Sequence, residues 1–473
     1  MATSSQTNSN KSSVAIIGGG IAGLSCAQHL QCSGSYSPTV FDTGRLRPGG
    51  RCSSRYPNDE PKDRSQNQSS ILSQYTFDHS AQILVVPGVR GANDGFHSFQ
   101  KQVDQWRADG VVQQFPKDSV VEIVAKTPPA AESNDNDKAA APLVRPIDSK
   151  DMYYCTDGFG SIPLNMATTN EIKIEQDVWI SPSSGVKYVG TKASPQWSVQ
   201  TNGKRFGNFD HVIIAHNGKC ADRLMSKSPA KDLHSLLVVD FRPEVPNWGG
   251  KRMTLNSIYS LTVALKMGGE EKLSQVVGKD VMTAFVKNEP NLKLITNQNN
   301  KLCSASAQIK EEGLEIWTIL SSAKFAKKYK GPQENLPQER VEEVTSLMLA
   351  ALERSLGLEE GTIHEGTVKD SRLQLWGAAV PLNVWSPTGK DVDSNNSGFM
   401  YDAEHRVGAC GDWLLDPSIA GAWESGRRLA NWMSSGIQQD GKPVDAVSVG
   451  LPSLGGEFKQ SKAASGSGIG NVR

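Results

Sequence analysis

The sequence predicts an α/β protein: a Rossmann-like dinucleotide-binding domain joined to a second, α+β substrate domain of mixed or antiparallel sheet plus helices. Three observations predict it. A continuous apolar run at residues 14–17 opens into a glycine-rich turn at 18–23 and then into a helical pattern. A second glycine-rich passage from strand to helix recurs near the C-terminus, across residues 407–426. The chain has 473 residues, more than one ordinary core organises.

The elements follow in order. Residues 14–17 are apolar at every position, as in a strand buried on both faces. Leu24, Ala27 and Leu30 then recur at helical spacing up to about Gln31, and residues 39–41 read as the next strand. Residues 57–74 are polar without a period and read as an exposed loop. Phe99, Val103 and Trp106 predict a helix over 96–106, with Gly110 beyond its end. Residues 126–150, rich in Pro, Ala, Asn, Asp and Lys, read as a disordered insertion. Alternation over 171–214 predicts a β-meander returning to a buried strand. The strongest helix spans 336–356, with Val341, Val344, Leu347, Ala351 and Leu352 on one face and Gly357 as its C-cap. Residues 407–410 read as the last core strand, 419–434 as a helix, and the glycine- and serine-rich tail from Gly436 as flexible.

Composition excludes several classes. Fifty basic and fifty acidic residues cancel, which leaves no footprint for nucleic acid or an anionic membrane. No apolar run approaches a membrane span. Seven scattered cysteines without a CxxC, and eight histidines without an HExxH, argue for free thiols in a reducing compartment and against a metal site. Residues 1–13 lack the apolar core of a secretory signal. Being acid-free they leave an organelle transit peptide open, but with one Lys and no Arg they favour a cytoplasmic chain. Oligomeric state is not legible.

Gly18, Gly20 and Gly23 carry the spacing that cradles a diphosphate. Gly18 permits the tight turn, Gly20 lets the ligand approach the backbone, and Gly23 lets helix and strand pack closely. Ile21 and Ala22 open the helix, whose N–H groups and dipole favour an anion. Asp42, at the end of the next strand, is placed to accept from ribose hydroxyls and to repel a 2′-phosphate. This motif does not choose between FAD and NAD. Arg45, Arg47, Arg51 and Arg55 crowd around Gly49 and Gly50, where guanidinium groups pair with phosphate oxygens.

These residues, with Gly49-Gly50-Arg51, resemble the opening of the flavin-containing amine oxidase superfamily. The second half of that signature is Gly408 and Ala409 through Gly411, Asp412 and Trp413, followed by Ile419, Ala420, Gly421 and Gly426. The resemblance implies non-covalent FAD. It places Gly50 and Arg51 at the pyrophosphate, Gly411 and Asp412 by the ribityl and phosphate region, and the helix beginning at Ile419 and Ala420 with its N-terminus at the flavin ring. A helix N-terminus there would stabilise charge on a reduced flavin. Where the family usually carries Glu, this chain has Asp42. Residues 77–82, 157–163, 372–376 and 411–413 are most similar to the renalase-like branch. That branch implies Gln82 near the flavin, Val178 against adenine through its backbone, and Trp376 on the substrate side. It also implies a discontinuous FAD domain (14–88, 171–220 and 395–435) and a substrate domain (89–170 and 221–394) roofing the flavin, with flexible tails at 1–13 and 436–473.

The renalase-like resemblance implies an oxidase that takes a hydride from a dihydropyridine, a mis-reduced NAD(P)H isomer, and passes it to flavin and then O2. Amine or polyamine oxidation is the alternative. However, a cage tyrosine of that group falls at Ser418 here, which has no π-face to orient an amine. A third reading is a non-catalytic nucleotide-binding protein on the same scaffold, against which Arg51 and Gly411-Asp412 argue. No side chain is singled out as catalytic, since the flavin carries the chemistry. Cys410 reads as an inert core thiol rather than a flavin attachment point.

Overall fold

The computed structural model describes residues 11–57, 59, 70–87, 96–125, 142–180, 185–191, 193–201, 203–268, 272–302, 309, 312–333, 335–388, 397–435 and 446–461. Its first sheet has six strands in the order Ile174–Glu175, Tyr36–Phe41, Ser12–Ile17, His211–Ile214, Val407–Cys410 and Phe399–Asp402. All neighbours run parallel except the last pair, which is antiparallel. Val14 and Ile16 of the central strand face one apolar layer, and Ala15 and Ile17 face another. Burial on both faces is why this strand carries no polar alternation.

The first layer is built by two helices, Ile21–Cys32 and Ile419–Ser434, which bring Leu24, Ala27, Trp423 and Leu429 onto the sheet. They touch along their backbones: a Cβ on Gly426 would lie 2.1 Å from the carbonyl oxygen of Ala22. A Cβ on Gly421 would lie 1.9 Å from the carbonyl oxygen of Asp416. Close backbone packing therefore accounts for both helical glycines, whose cost in helix propensity is about 1 kcal/mol each. Cys410 is fully buried, with its thiol 3.7 Å from the Ala22 carbonyl. The opposite layer holds the three-stranded meander Val186–Tyr188, Trp197–Gln200 and Arg205–Phe209.

The second sheet has seven strands in the order Val368–Trp376, Ile258–Leu265, Glu315–Ser321, Leu292–Asn297, Thr283–Lys287, Val120–Val124 and Leu143–Pro146. It is antiparallel except between Thr283–Lys287 and Val120–Val124. The helix Gln338–Leu356 covers it with Val344, Met348 and Leu352, and ends at Gly357, whose φ of +65° is the left-handed cap that glycine adopts freely.

Four expectations are corrected. Ser12 and Ser13 belong to the first strand rather than to a flexible tail. The expected loop at 57–74 lies mostly outside the described residues, but Ile71–Gln74 is a helical turn that buries Leu72. Of the expected insertion at 126–150, residues 126–141 lie outside the described residues, whereas Leu143–Pro146 pairs with Val120–Val124 and extends the second sheet. The expected flexible tail holds the strand Gly456–Gln460, paired with Asn383–Pro387. Phe458 and Leu451 supply the apolar burial that fixes it, and the Trp385 indole donates to the Gly450 carbonyl. Residues 436–445 and 462–473 of that tail lie outside the described residues.

One buried histidine carries a pH prediction. His211 sits against the Tyr401 hydroxyl at 3.0 Å, and burial, aided by the charge of Arg406, pushes its pKa down to about 4. The unfolded chain binds this proton near pH 6.5, the folded chain only near 4. Stability from this group is therefore complete above about 6.5 and is lost as pH falls toward 4, by roughly 3 kcal/mol at about 1.4 kcal/mol per pH unit. Urea titrations between pH 7 and 4.5 should show that acid limb flattened in His211→Gln. An unchanged limb would assign the loss to other groups.

Candidate functional site

Two helix N-termini and one interdomain cavity define the site. At the first helix, Gly18 turns the chain at φ +117° and donates its N–H to the Phe41 carbonyl at 2.9 Å. A Cβ on Gly23 would sit 2.0 Å from the Gly18 carbonyl oxygen, so that glycine is demanded by packing. Around the Cβ position of Gly20 there is nothing within 4 Å. Gly20 is also the N-cap, with no side chain bonded to the helix end, and the first intrahelical bond is that of Leu24 to Gly20. The N–H groups of Ile21, Ala22 and Gly23 thus precede the ladder and lack intrahelical acceptors. An uncapped N-terminus beside an open glycine fits a diphosphate.

Asp42 directly follows the strand Tyr36–Phe41. It is 8% exposed, and its two oxygens accept from the N–H groups of Gly19 at 2.8 Å and Gly44 at 2.6 Å. Burial pushes its carboxyl up, and these two N–H bonds pull it back. The carboxylate holds the glycine turn against the following loop. The Val178 N–H donates to the Asp42 carbonyl at 2.9 Å, which sets Val178 against the end of the strand Tyr36–Phe41.

Arg51 leads away from the arginine cluster. Its guanidinium pairs with Asp412 at 2.8 Å and donates to the Ala379 carbonyl at 2.7 Å. This pair ties Gly50, which follows Gly49 and its bridge to Gly20, to the turn at Gly411. Gly411 donates its N–H to the Ser425 hydroxyl at 2.8 Å. Ser418 caps the last helix, accepting from Gly421 at 3.0 Å and donating to Asp416 at 2.5 Å. That cap is the local reason for Ser at this position. The N–H groups of Ile419 and Ala420 precede the first intrahelical bond, from Ala422 to Ser418.

The cavity, about 360 Å³, lies between the loop 44–56 and the edge strand Val368–Trp376. Arg372, Gln374 and Trp376 alternate along that strand onto one face, all lining the cavity. Trp376 stacks on His79 at 5.5 Å with an 8° interplanar angle and donates its indole N–H to the His79 carbonyl at 3.0 Å. Arg47 makes a two-pronged bond to Asp59, at 2.7 and 2.9 Å, under the ring of Tyr56. Arg45 and Arg55 complete the basic lining.

Gln82 is turned away from this cavity. It is 1% exposed, its amide nitrogen donates to the Asp78 and Ser80 carbonyls, and its amide oxygen accepts from Lys301 at 2.8 Å and Gln298 at 3.1 Å. The centre of that network is an ion pair between Lys301 and Asp78 at 2.8 Å, both side chains fully buried. Sequence reasoning missed Lys301: a lone lysine in a polar stretch reads as solvated. Among the described residues no group of His, Cys, Asp or Glu is arranged to hold a metal ion, and no helix is long and apolar enough to cross a membrane.

A family model described as an NAD(P)-binding Rossmann-like domain matches residues 16–94. Cyclohexylamine oxidase from Brevibacterium oxydans superposes over 90% of this chain and 99% of its own, with a TM-score of 0.54 at 10% identity. A triple mutant of putrescine oxidase, redesigned in cofactor binding, superposes over 89% of this chain and 98% of its own, with a TM-score of 0.50 at 14% identity. The chain shares the fold of these oxidases. Within that oxidase fold, the Gly20 turn and the Arg51–Asp412 pair belong to the Rossmann-like part, and the cavity opens where that part meets the seven-stranded sheet.

Proposed function

We propose that the protein is an FAD-dependent oxidase of the renalase-like kind, acting on an anionic dihydropyridine, a reduced nicotinamide nucleotide carrying its hydride at the wrong ring carbon. The observation that carries this reading is the charge of the cavity. Arg45, Arg47, Arg55 and Arg372 line it, and Asp59, already bonded to Arg47, is the one acidic residue among the described lining. Such a lining attracts phosphates and repels an alkylammonium ion. The resemblance in fold to amine oxidases favours amine oxidation as the second reading. The cavity charge and the capping role of Ser418 weigh against it.

When bound, FAD supplies the two-electron acceptor that takes a hydride from the substrate and returns the electrons to dioxygen. The chain's own residues do the rest. The Ile21, Ala22 and Gly23 N–H groups, beside the open Gly20, would hold its diphosphate. The Val178 backbone would meet its adenine end, and the Ile419 and Ala420 N–H groups, with the helix dipole, would favour negative charge at its ring end. Trp376, locked on His79, offers a flat shelf beside the cavity. Aromatisation of a dihydropyridine releases a hydride with no proton to remove, so no general base is required of the lining.

Anaerobic mixing tests the reading. The flavin should bleach rapidly with 2- or 6-dihydro-NAD and should not respond to cyclohexylamine or putrescine. Bleaching by the amines alone would replace this reading with the second, and a purified protein that takes up no FAD would end both.

A further inference from the structure

We propose that Arg51 is a positioning residue for the cavity: it latches the neck between the two sheets and so sets the wall that carries Trp376. This rests on the reading of the cavity as the substrate site and adds what holds that site in shape. The neck consists of two chain segments that leave the seven-stranded sheet side by side. The strands Ile258–Leu265 and Val368–Trp376 are paired there, with Ile258 opposite Trp376. Beyond the sheet the pairing continues. The Ser257 hydroxyl donates to the Gly377 carbonyl at 2.9 Å. The Ala379 N–H donates to the Asn256 carbonyl at 3.0 Å, and the Asn256 N–H donates to the Val380 carbonyl at 3.1 Å. The Asn256 side chain accepts from the Val380 N–H at 3.0 Å. Leu255 then bridges Pro381, and Met253 and Leu255 share one apolar layer with Ala15 and Ile17 of the Rossmann-like sheet.

Arg51 grips this neck from the Rossmann-like part. One guanidinium nitrogen donates to the Ala379 carbonyl at 2.7 Å, and the other pairs with Asp412 at 2.8 Å. Asp412 opens the helical turn that follows the strand Val407–Cys410, and Ala379 lies just beyond the end of Val368–Trp376. The fork therefore runs from the Rossmann-like part to the neck, and the strand that leaves the neck carries Trp376, Gln374 and Arg372 along the cavity. Two strands joined along one line hinge by rotating a few backbone bonds, and an attachment off that line fixes their direction. A planar fork holds two partners at once, whereas the ammonium of lysine is a single point charge. That difference separates a latch from a phosphate contact, for which a point charge also serves. Both terminal nitrogens of Arg51 are engaged within the protein, so this reading gives the arginine to the geometry of the cavity rather than to a diphosphate.

The test is Arg51→Lys, followed by hydrogen exchange and by FAD titration. In the FAD-free protein, backbone amides of residues 376–382 should exchange about 10-fold faster than in wild type, as loss of a hydrogen bond from a charged donor implies. FAD affinity should change by less than about 3-fold, because the lysine keeps the positive charge. Asp412→Asn loosens the other end of the latch and should speed exchange in the same segment, which keeps the test open should the lysine variant fail to fold. Wild-type exchange at 376–382 in the variants that fold would overturn the latch. A loss of FAD affinity of about 100-fold with wild-type exchange would do the same and assign Arg51 to the diphosphate. With FAD bound, as read from the visible spectrum, Arg51→Lys should lower kcat/KM for 6-dihydro-NAD by about 10-fold, since a displaced wall misplaces its ligand. Wild-type turnover alongside faster neck exchange would overturn the positioning role. Should 6-dihydro-NAD leave the wild-type flavin unbleached, the proposed reaction fails, and the exchange measurement still judges the latch.

Discussion

Lys301→Met is expected to destabilise the protein by about 3–5 kcal/mol, the cost of leaving a buried charge without its partner. Lys301 and Asp78 are both fully buried and 2.8 Å apart. Asp78 also accepts from the Ser54 hydroxyl at 2.5 Å and the Phe159 N–H at 2.8 Å, and the Asp78 carbonyl accepts from Thr318 at 2.8 Å. The network therefore joins the N-terminal stretch to the strand Glu315–Ser321 in the middle of the seven-stranded sheet. Met has the reach of Lys without its charge, so the loss reports the ion pair rather than a cavity. Adding Asp78→Asn removes the orphaned charge while keeping an acceptor for Phe159. The double variant should be more stable than Lys301→Met alone, which separates a charge effect from general loosening. Denaturant midpoints on the three proteins decide it. A Lys301→Met midpoint equal to wild type would mean that water or a rearranged Gln82 serves Asp78 as well as Lys301 does.

That network also marks where sequence stops being informative. Local patterns determine the Rossmann-like part. The apolar run at 14–17, the glycines at 18, 20 and 23 and the strand at 407–410 each announce an element by their own residues, although both strands pair with the distant His211–Ile214. The strand Gly456–Gln460 was invisible for the opposite reason. Its stability comes from Asn383–Pro387 and from Phe458 packed on Trp385, contacts that glycine and serine content does not encode. Lys301 and Gln298 were illegible because burying them requires Asp78 and Gln82 from a distant segment. Within the site, residue identity was easier to read than atomic role. Asp42 and Val178 sit beside the predicted crevice, yet the Asp42 carboxylate and the Val178 N–H close the glycine loop on itself. A motif fixes which residues meet, and the competition among N–H donors decides what each of them does.

The glycine turn offers the sharpest separation of fold from function. Gly20 has φ −78° and ψ −179°, a conformation open to any L-residue, and a Cβ there would meet nothing within 4 Å. Gly20→Val should therefore leave the stability of the FAD-free protein unchanged. Its methyl groups would occupy the space beside the Ile21, Ala22 and Gly23 N–H groups, so FAD affinity should fall by about 100-fold, or roughly 2.7 kcal/mol. Gly23→Val should behave in the reverse order. Its Cβ would fall 2.0 Å from the Gly18 carbonyl oxygen and 3.1 Å from the Ala215 side chain. Relief requires the helix to move off the strand, at a cost of about 3 kcal/mol or more in the FAD-free protein. Thermal unfolding of both FAD-free variants, with equilibrium FAD titration of Gly20→Val, distinguishes these roles. If Gly20→Val binds FAD as tightly as wild type, the diphosphate does not lie against this turn. If it instead unfolds without FAD, the open space at Gly20 is needed for packing and not for a ligand.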